Sequence, residues 1–191
     1  MSHGHGGHDH GEGNKKIGLM IAMLALILSF SEIGNKQSEN ESIAKNIEAA
    51  NLWSFYQAKT IRRTAIQTAA EEMSVNAALA TDPAAKTALQ EQVKKWRDTA
   101  ARYETEPETG EGRKELMARA KKAEERRDFT KQRAEVFEIA SALLQIAIVL
   151  ASTAIITNAM LLVWAGGGLS VIAAVLMGIA VWKPFLIPIG H

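Results

Sequence analysis

From Ile139 to Trp182 the chain runs 44 residues without a charged side chain. A block that long and apolar belongs in a lipid bilayer, where only structures that satisfy their own backbone hydrogen bonds can cross. One helical crossing takes about 20 apolar residues. The block therefore divides into two transmembrane helices, over 137–157 and 159–183, with a tight turn at Thr157 and Asn158. Every other segment has to be arranged around these two spans.

A further span lies near the N-terminus. Lys15 and Lys16 introduce an apolar run from Ile17 to Phe30 that, continued to Gly34, is long enough to cross. A secretory signal peptide shares that basic pair and apolar core but needs a small-x-small cleavage motif. Ser31-Glu32-Ile33-Gly34-Asn35-Lys36 follows instead, so 17–34 is read as a retained transmembrane helix. Ahead of it, residues 1–16 are too polar and too rich in glycine to bury a core and are expected to be disordered. His3, His5, His8 and His10 fall in this tail. Neutral imidazoles on a flexible chain can close around zinc, nickel or copper, against the plainer reading of a tail that meets metal only adventitiously.

The charge is concentrated in 35–136. No proline or glycine lies between Ser38 and Thr81, and Ile43, Ile47 and Ala50 fall at helical spacing, which predicts one helix over 38–81. Asp82 is a capping residue and Pro83 suits a first helical position. The helix they begin, 83–104, carries Leu89, Val93, Trp96, Ala100 and Tyr103 four and three apart. Pro107, Gly110 and Gly112 break the pattern over 105–111. A third helix, 112–136, repeats it with Leu116, Ala120, Ala123, Thr130 and Ala134, and runs on without a breaker into the span.

At 1.5 Å per residue the first of these helices is about 65 Å long and the other two about 33 and 38 Å. Counted as the eight residues from Thr105 to Gly112, the break covers at most about 28 Å fully extended, too little to return the chain along an arm. The second and third helices are therefore expected end to end along the first, and counting equal distances from the tip puts 109–113 opposite 52–56. The expected fold is an all-α membrane protein: three transmembrane helices plus a long extramembrane antiparallel helical hairpin, a stalk. A hairpin two helices thick cannot cover side chains on every face, so homo-oligomerisation is expected as well.

The most individual stretch is Asn51-Leu52-Trp53-Ser54-Phe55-Tyr56-Gln57-Ala58-Lys59-Thr60-Ile61-Arg62. It is preceded by the His-rich leader and an N-terminal span, and followed at 137–152 by FEIASALLQIAIVLAS. This combination resembles the bacterial membrane proteins grouped as domain-of-unknown-function family 4337, over most of the chain. The resemblance implies a bacterial inner-membrane location and supplies no activity, substrate or catalytic residue. Read from the residues, Asn51, Trp53, Phe55, Tyr56, Lys59 and Arg62 form either a packing cluster, with polar tips reaching free backbone groups of the broken arm, or an aromatic and cationic surface for a protein partner.

The function classes narrow by elimination. With 22 basic and 21 acidic residues the net charge is +1, and nothing points to nucleic acid as a partner. Cysteine is absent, which excludes disulfides, thiolate metal sites and a cysteine nucleophile. HExxH, GxSxG and phosphate-loop motifs are missing, so an enzyme is not expected. In the spans, Glu32, Gln145 and Asn158 are the candidate intramembrane polar positions. Ser152, Thr153, Ser170 and the Gly166–Gly168 patch are read as helix packing, with the hydroxyls bonding across helix contacts.

Basic residues from Arg119 to Arg133 and at Lys183 put the stalk and C-terminus in the cytoplasm and the tail in the periplasm. The expected partners are the bilayer and further copies of the chain, with any other protein partner unknown. The leading functional expectation is a membrane-anchored homo-oligomeric scaffold. An oligomeric channel or transport component is the alternative, and a divalent-metal sensor or buffer working through the tail is a weaker one.

Overall fold

The computed structural model describes residues 9–182 and 184, with side chains from Gly13 onward. His3, His5 and His8 lie outside the described residues, as does the side chain of His10. Among the described residues there are four α-helices, α1 (Asp9–Leu79), α2 (Pro83–Glu104), α3 (Arg113–Thr157) and α4 (Met160–Trp182). The described residues contain no strand. By length and composition, α1, α3 and α4 are each able to cross a membrane.

The N-terminal boundary differs from the sequence expectation. Residues 9–16, expected within a disordered tail, belong to α1, which also continues unbroken across Gly34 and Asn35. No proline lies in α1, and a nucleated helix gains one hydrogen bond for each residue added. A helical glycine costs about 1 kcal/mol relative to alanine and does not stop propagation.

The chain divides into two compact units, one combining residues up to Ile43 with those from Arg127 onward, the other Ala44–Arg126. In the first unit Leu24 of α1, Ala140, Leu144 and Ala147 of α3, and Ala173 of α4 form a buried core. Small buried residues recur seven apart at the contact of α3 with α4, as Ala140 and Ala147 on one and Gly166, Ala173 and Ala180 on the other. A Cβ at Gly166 would lie 3.0 Å from the Ala147 carbonyl oxygen, so this backbone approach depends on glycine. Gly167 and Gly168 face open space.

The hydroxyls distribute differently from expectation. Ser152, Thr153 and Ser170 donate back to carbonyls of their own helices, at Ile148, Val149 and Gly167, because a mid-helix hydroxyl always has a carbonyl three or four residues back in reach. The bond between helices comes from Ser31 and Ser141. Ser141 donates to the Ser31 hydroxyl at 2.9 Å, and Ser31 donates to the Phe137 carbonyl at 3.1 Å. Asn158, at φ 53°, takes the left-handed turn after α3, a conformation asparagine tolerates better than most residues.

In the second unit Asp82 caps α2, accepting from the backbone N–H groups of Ala84 and Ala85 at 3.2 Å each. Ala77 of α1 shares a groove with Val93 of α2, and Ala70 shares another with Ala100. Rising positions on α1 thus meet falling positions on α2, an antiparallel pair. Beyond the 105–112 connection, Leu116, Ala120 and Ala123 of α3 pack on Ala49 and Leu52 of α1. The connection closes on itself: the Glu106 N–H donates to the Glu115 carboxylate at 3.2 Å, and Gly110, at φ 68°, donates to the Glu106 carbonyl at 3.0 Å.

Candidate functional site

The 51–62 motif lies on α1 beside that connection, and helical spacing splits its residues between two faces. Positions 52, 53, 55, 56 and 59 turn toward α2 and α3 and are buried or half-buried, while Asn51 and Arg62 are exposed. The inward group forms a charged aromatic cluster. Lys59, 6% exposed, is 3.4 Å from Glu106 and 3.8 Å from Glu111. Its ammonium also stands 5.5 Å from the Phe55 ring centre and 5.2 Å from that of Tyr103, within cation–π range.

Arg113, at the start of α3, ties three helices together. Its Nη1 donates to Glu104 of α2 at 2.5 Å, its Nη2 to the Tyr56 hydroxyl at 2.8 Å and its Nε to the Thr60 hydroxyl at 2.9 Å. The guanidinium also covers the Tyr56 ring at 4.9 Å. Trp53 meets Tyr56 edge-on, 5.5 Å between centres at 83°, and donates its indole N–H to Glu124 at 2.9 Å. Partial burial acts against the Arg113 charge, but the hydrogen bonds to Tyr56 and Glu104 outweigh it and raise its pKa above the ordinary arginine value.

This arrangement corrects one expectation and extends another. The tips of Trp53 and Tyr56 meet the side chains of Glu124 and Arg113, where sequence reasoning had them reaching free backbone groups. In the connection, the N–H groups of Glu106, Gly110 and Glu111 donate to Glu115, to the Glu106 carbonyl and to Thr109, and neither ring tip bonds there. Glu104, Glu106, Glu111, Arg113 and Glu124 were not singled out from sequence. On a charged helix they look like any solvated residue, and only the count placing 109–113 opposite 52–56 pointed to Arg113. Chemically the cluster is a set of paired charges around packed rings. It holds the break against α1 and leaves Lys59 and Arg113 committed to carboxylates.

Of the intramembrane candidates, Glu32 and Gln145 line one open groove of about 400 Å³ with Asn35, Lys36, Glu138 and Ser141. Asn158 is exposed at the turn before α4 and takes no part in it. Among the described residues no group of three or more His, Cys, Asp or Glu side chains is placed to hold a metal ion.

These features define a class, an all-helical protein with three helices long and apolar enough to cross a membrane and a charged helical unit closed by an aromatic and cationic cluster. The chain belongs to the family described as Domain of unknown function (DUF4337), whose model matches residues 13–183. No curated protein and no solved structure matches it.

Proposed function

We propose that the protein is a membrane-anchored, homo-oligomeric helical scaffold of the bacterial inner membrane, with no catalytic activity of its own. The Ala44–Arg126 unit serves as a cytoplasmic stalk, the C-terminus lies on the same side, and the N-terminal tail faces the periplasm. One observation carries the reading. The rings and charges around Lys59 and Arg113 are spent on each other, while Ile47, Ile61, Val75 and Leu79 of α1 stay exposed in a segment too rich in charge and amide to lie in lipid. These side chains fall along one face of the helix, and a row of that kind supports contact with another helix.

The test is the mass of the complex extracted in detergent, with the bound detergent subtracted. A defined multimer supports the scaffold, and a monomer at membrane-like concentration removes it. The groove holding Glu32 and Gln145 favours a second reading, an oligomeric channel or transport component with that groove turned to a central axis. Ion or solute flux in vesicles that stops on Gln145→Leu supports the channel; flux-free vesicles remove it. Metal buffering through His3, His5, His8 and His10, with zinc, nickel or copper as cargo, is the weaker third reading.

A further inference from the structure

We infer that the outward face of α1 in the Ala44–Arg126 unit is the contact with a second copy of this chain, packed parallel and in register; this rests on the homo-oligomeric reading above. The face opposite the buried seam of α1 has its own seven-residue repeat. Ile47, Ser54, Ile61, Thr68 and Val75 fall seven apart, and Ala44, Asn51, Ala58, Ala65, Glu72 and Leu79 interleave with them four and three apart, every one exposed. Ile47, Ile61, Val75 and Leu79 are 56–74% exposed. Among these eleven positions only Glu72 is charged, whereas the outer surfaces of α2 and α3 carry Lys94, Lys95, Asp98, Lys121 and Glu125. A solvated helix face is normally the charged one. Here the row itself carries one charge in eleven positions, and Glu48, Arg62 and Glu71 flank it on the same helix.

A second copy suits this row for reasons of geometry and chemistry. A strict seven-residue period makes two identical helices wind around each other with like positions meeting. The candidate spans anchor every copy in one direction, which gives the parallel arrangement without further cost. In that arrangement Asn51 meets Asn51 of the second copy, and an amide both donates and accepts, so the pair satisfies itself and fixes the register. The flanking rows agree: Gln57 stands five residues before Arg62, the offset that brings flanking residues of parallel partners together. Eleven seam positions with their flanking rows reach the 20–30 residues a side of a standard interface. The two motif residues that the charged cluster leaves out, Asn51 and Arg62, both lie on this face. Glu72 is the one discordant position, since it would meet its own like charge.

The absence of cysteine makes the test direct. Full-length single-cysteine variants I47C, I61C and V75C in native membranes, treated with a short bis-maleimide, are expected to give covalent dimers. K95C on α2 and K121C on α3 are expected to stay unlinked. Ile61→Asp should weaken association at least about tenfold, as loss of one buried aliphatic contact implies. Glu72→Leu should strengthen it by a similar factor, a gain that misfolding does not imitate. Dimers linked through K95C or K121C, with the row unlinked, overturn this inference and leave the homo-oligomer standing. A chain that is monomeric by mass and unlinked at every position overturns both.

Discussion

Gly34 shows how a single missing side chain holds a contact. A Cβ there would stand 2.8 Å from the Phe137 ring, so the buried ring rests directly on the backbone of α1. Gly34→Leu is expected to cost about 1–3 kcal/mol by overpacking, seen as a fall in Tm of about 2–4 °C per kcal/mol in detergent; an unchanged Tm would show that the ring yields. Arg113 is the opposite case, a side chain with three hydrogen bonds. Arg113→Ala is expected to cost about 1–3 kcal/mol, because Glu104 loses its closest cation and the Tyr56 hydroxyl its donor. Arg113→Lys should recover less than half, since an ammonium lacks the planar fork. The raised pKa of Arg113 means that its contribution is complete below the unfolded value and is lost only as pH rises through the folded one. Both lie beyond working conditions, so the wild-type difference from Arg113→Ala should be flat between about pH 6 and about 9.

At the scale of elements, the 105–112 connection is the part whose geometry is most demanding. Gly110 has φ 68°, and an added Cβ would meet nothing within 4 Å, whereas a Cβ on Gly112 would crowd the Glu106 backbone N–H and stand 2.8 Å from the Thr105 Cα. Gly110→Ala should therefore cost only the left-handed penalty, about 1–2 kcal/mol. Gly112→Ala should cost more, because backbone has to move. Thermal unfolding of the two variants side by side checks the order, and equal losses would contradict it. That a break falls here was legible from Pro107, Gly110 and Gly112. Its internal closure by Glu106 and Glu115 was not, because a carboxylate's choice of donor depends on the turn it ends up beside. The opening of α2 was legible too, since an aspartate before proline caps by local geometry alone.

For the whole molecule, the tail and the assembly are the open levers. Removing residues 2–13 is expected to leave the mass of the complex unchanged, while growth in metal-limited and metal-excess media separates the metal reading from the scaffold: no difference between the two strains would end it. The sequence by itself determined the helical class, the three apolar spans and the family, because these follow from composition and local motif: lipid admits helices with satisfied backbones, and an uncharged run of 44 residues has few other places to go. Tertiary structure decided which charges are neutralised and which face of α1 is left uncovered. Lys59 with Glu106, Arg113 with Glu104 and Tyr56, and the exposed Asn51 and Arg62 all depend on how helices far apart in sequence register against one another. A helical repeat can carry two apolar faces at once, and only packing shows which of them is already filled.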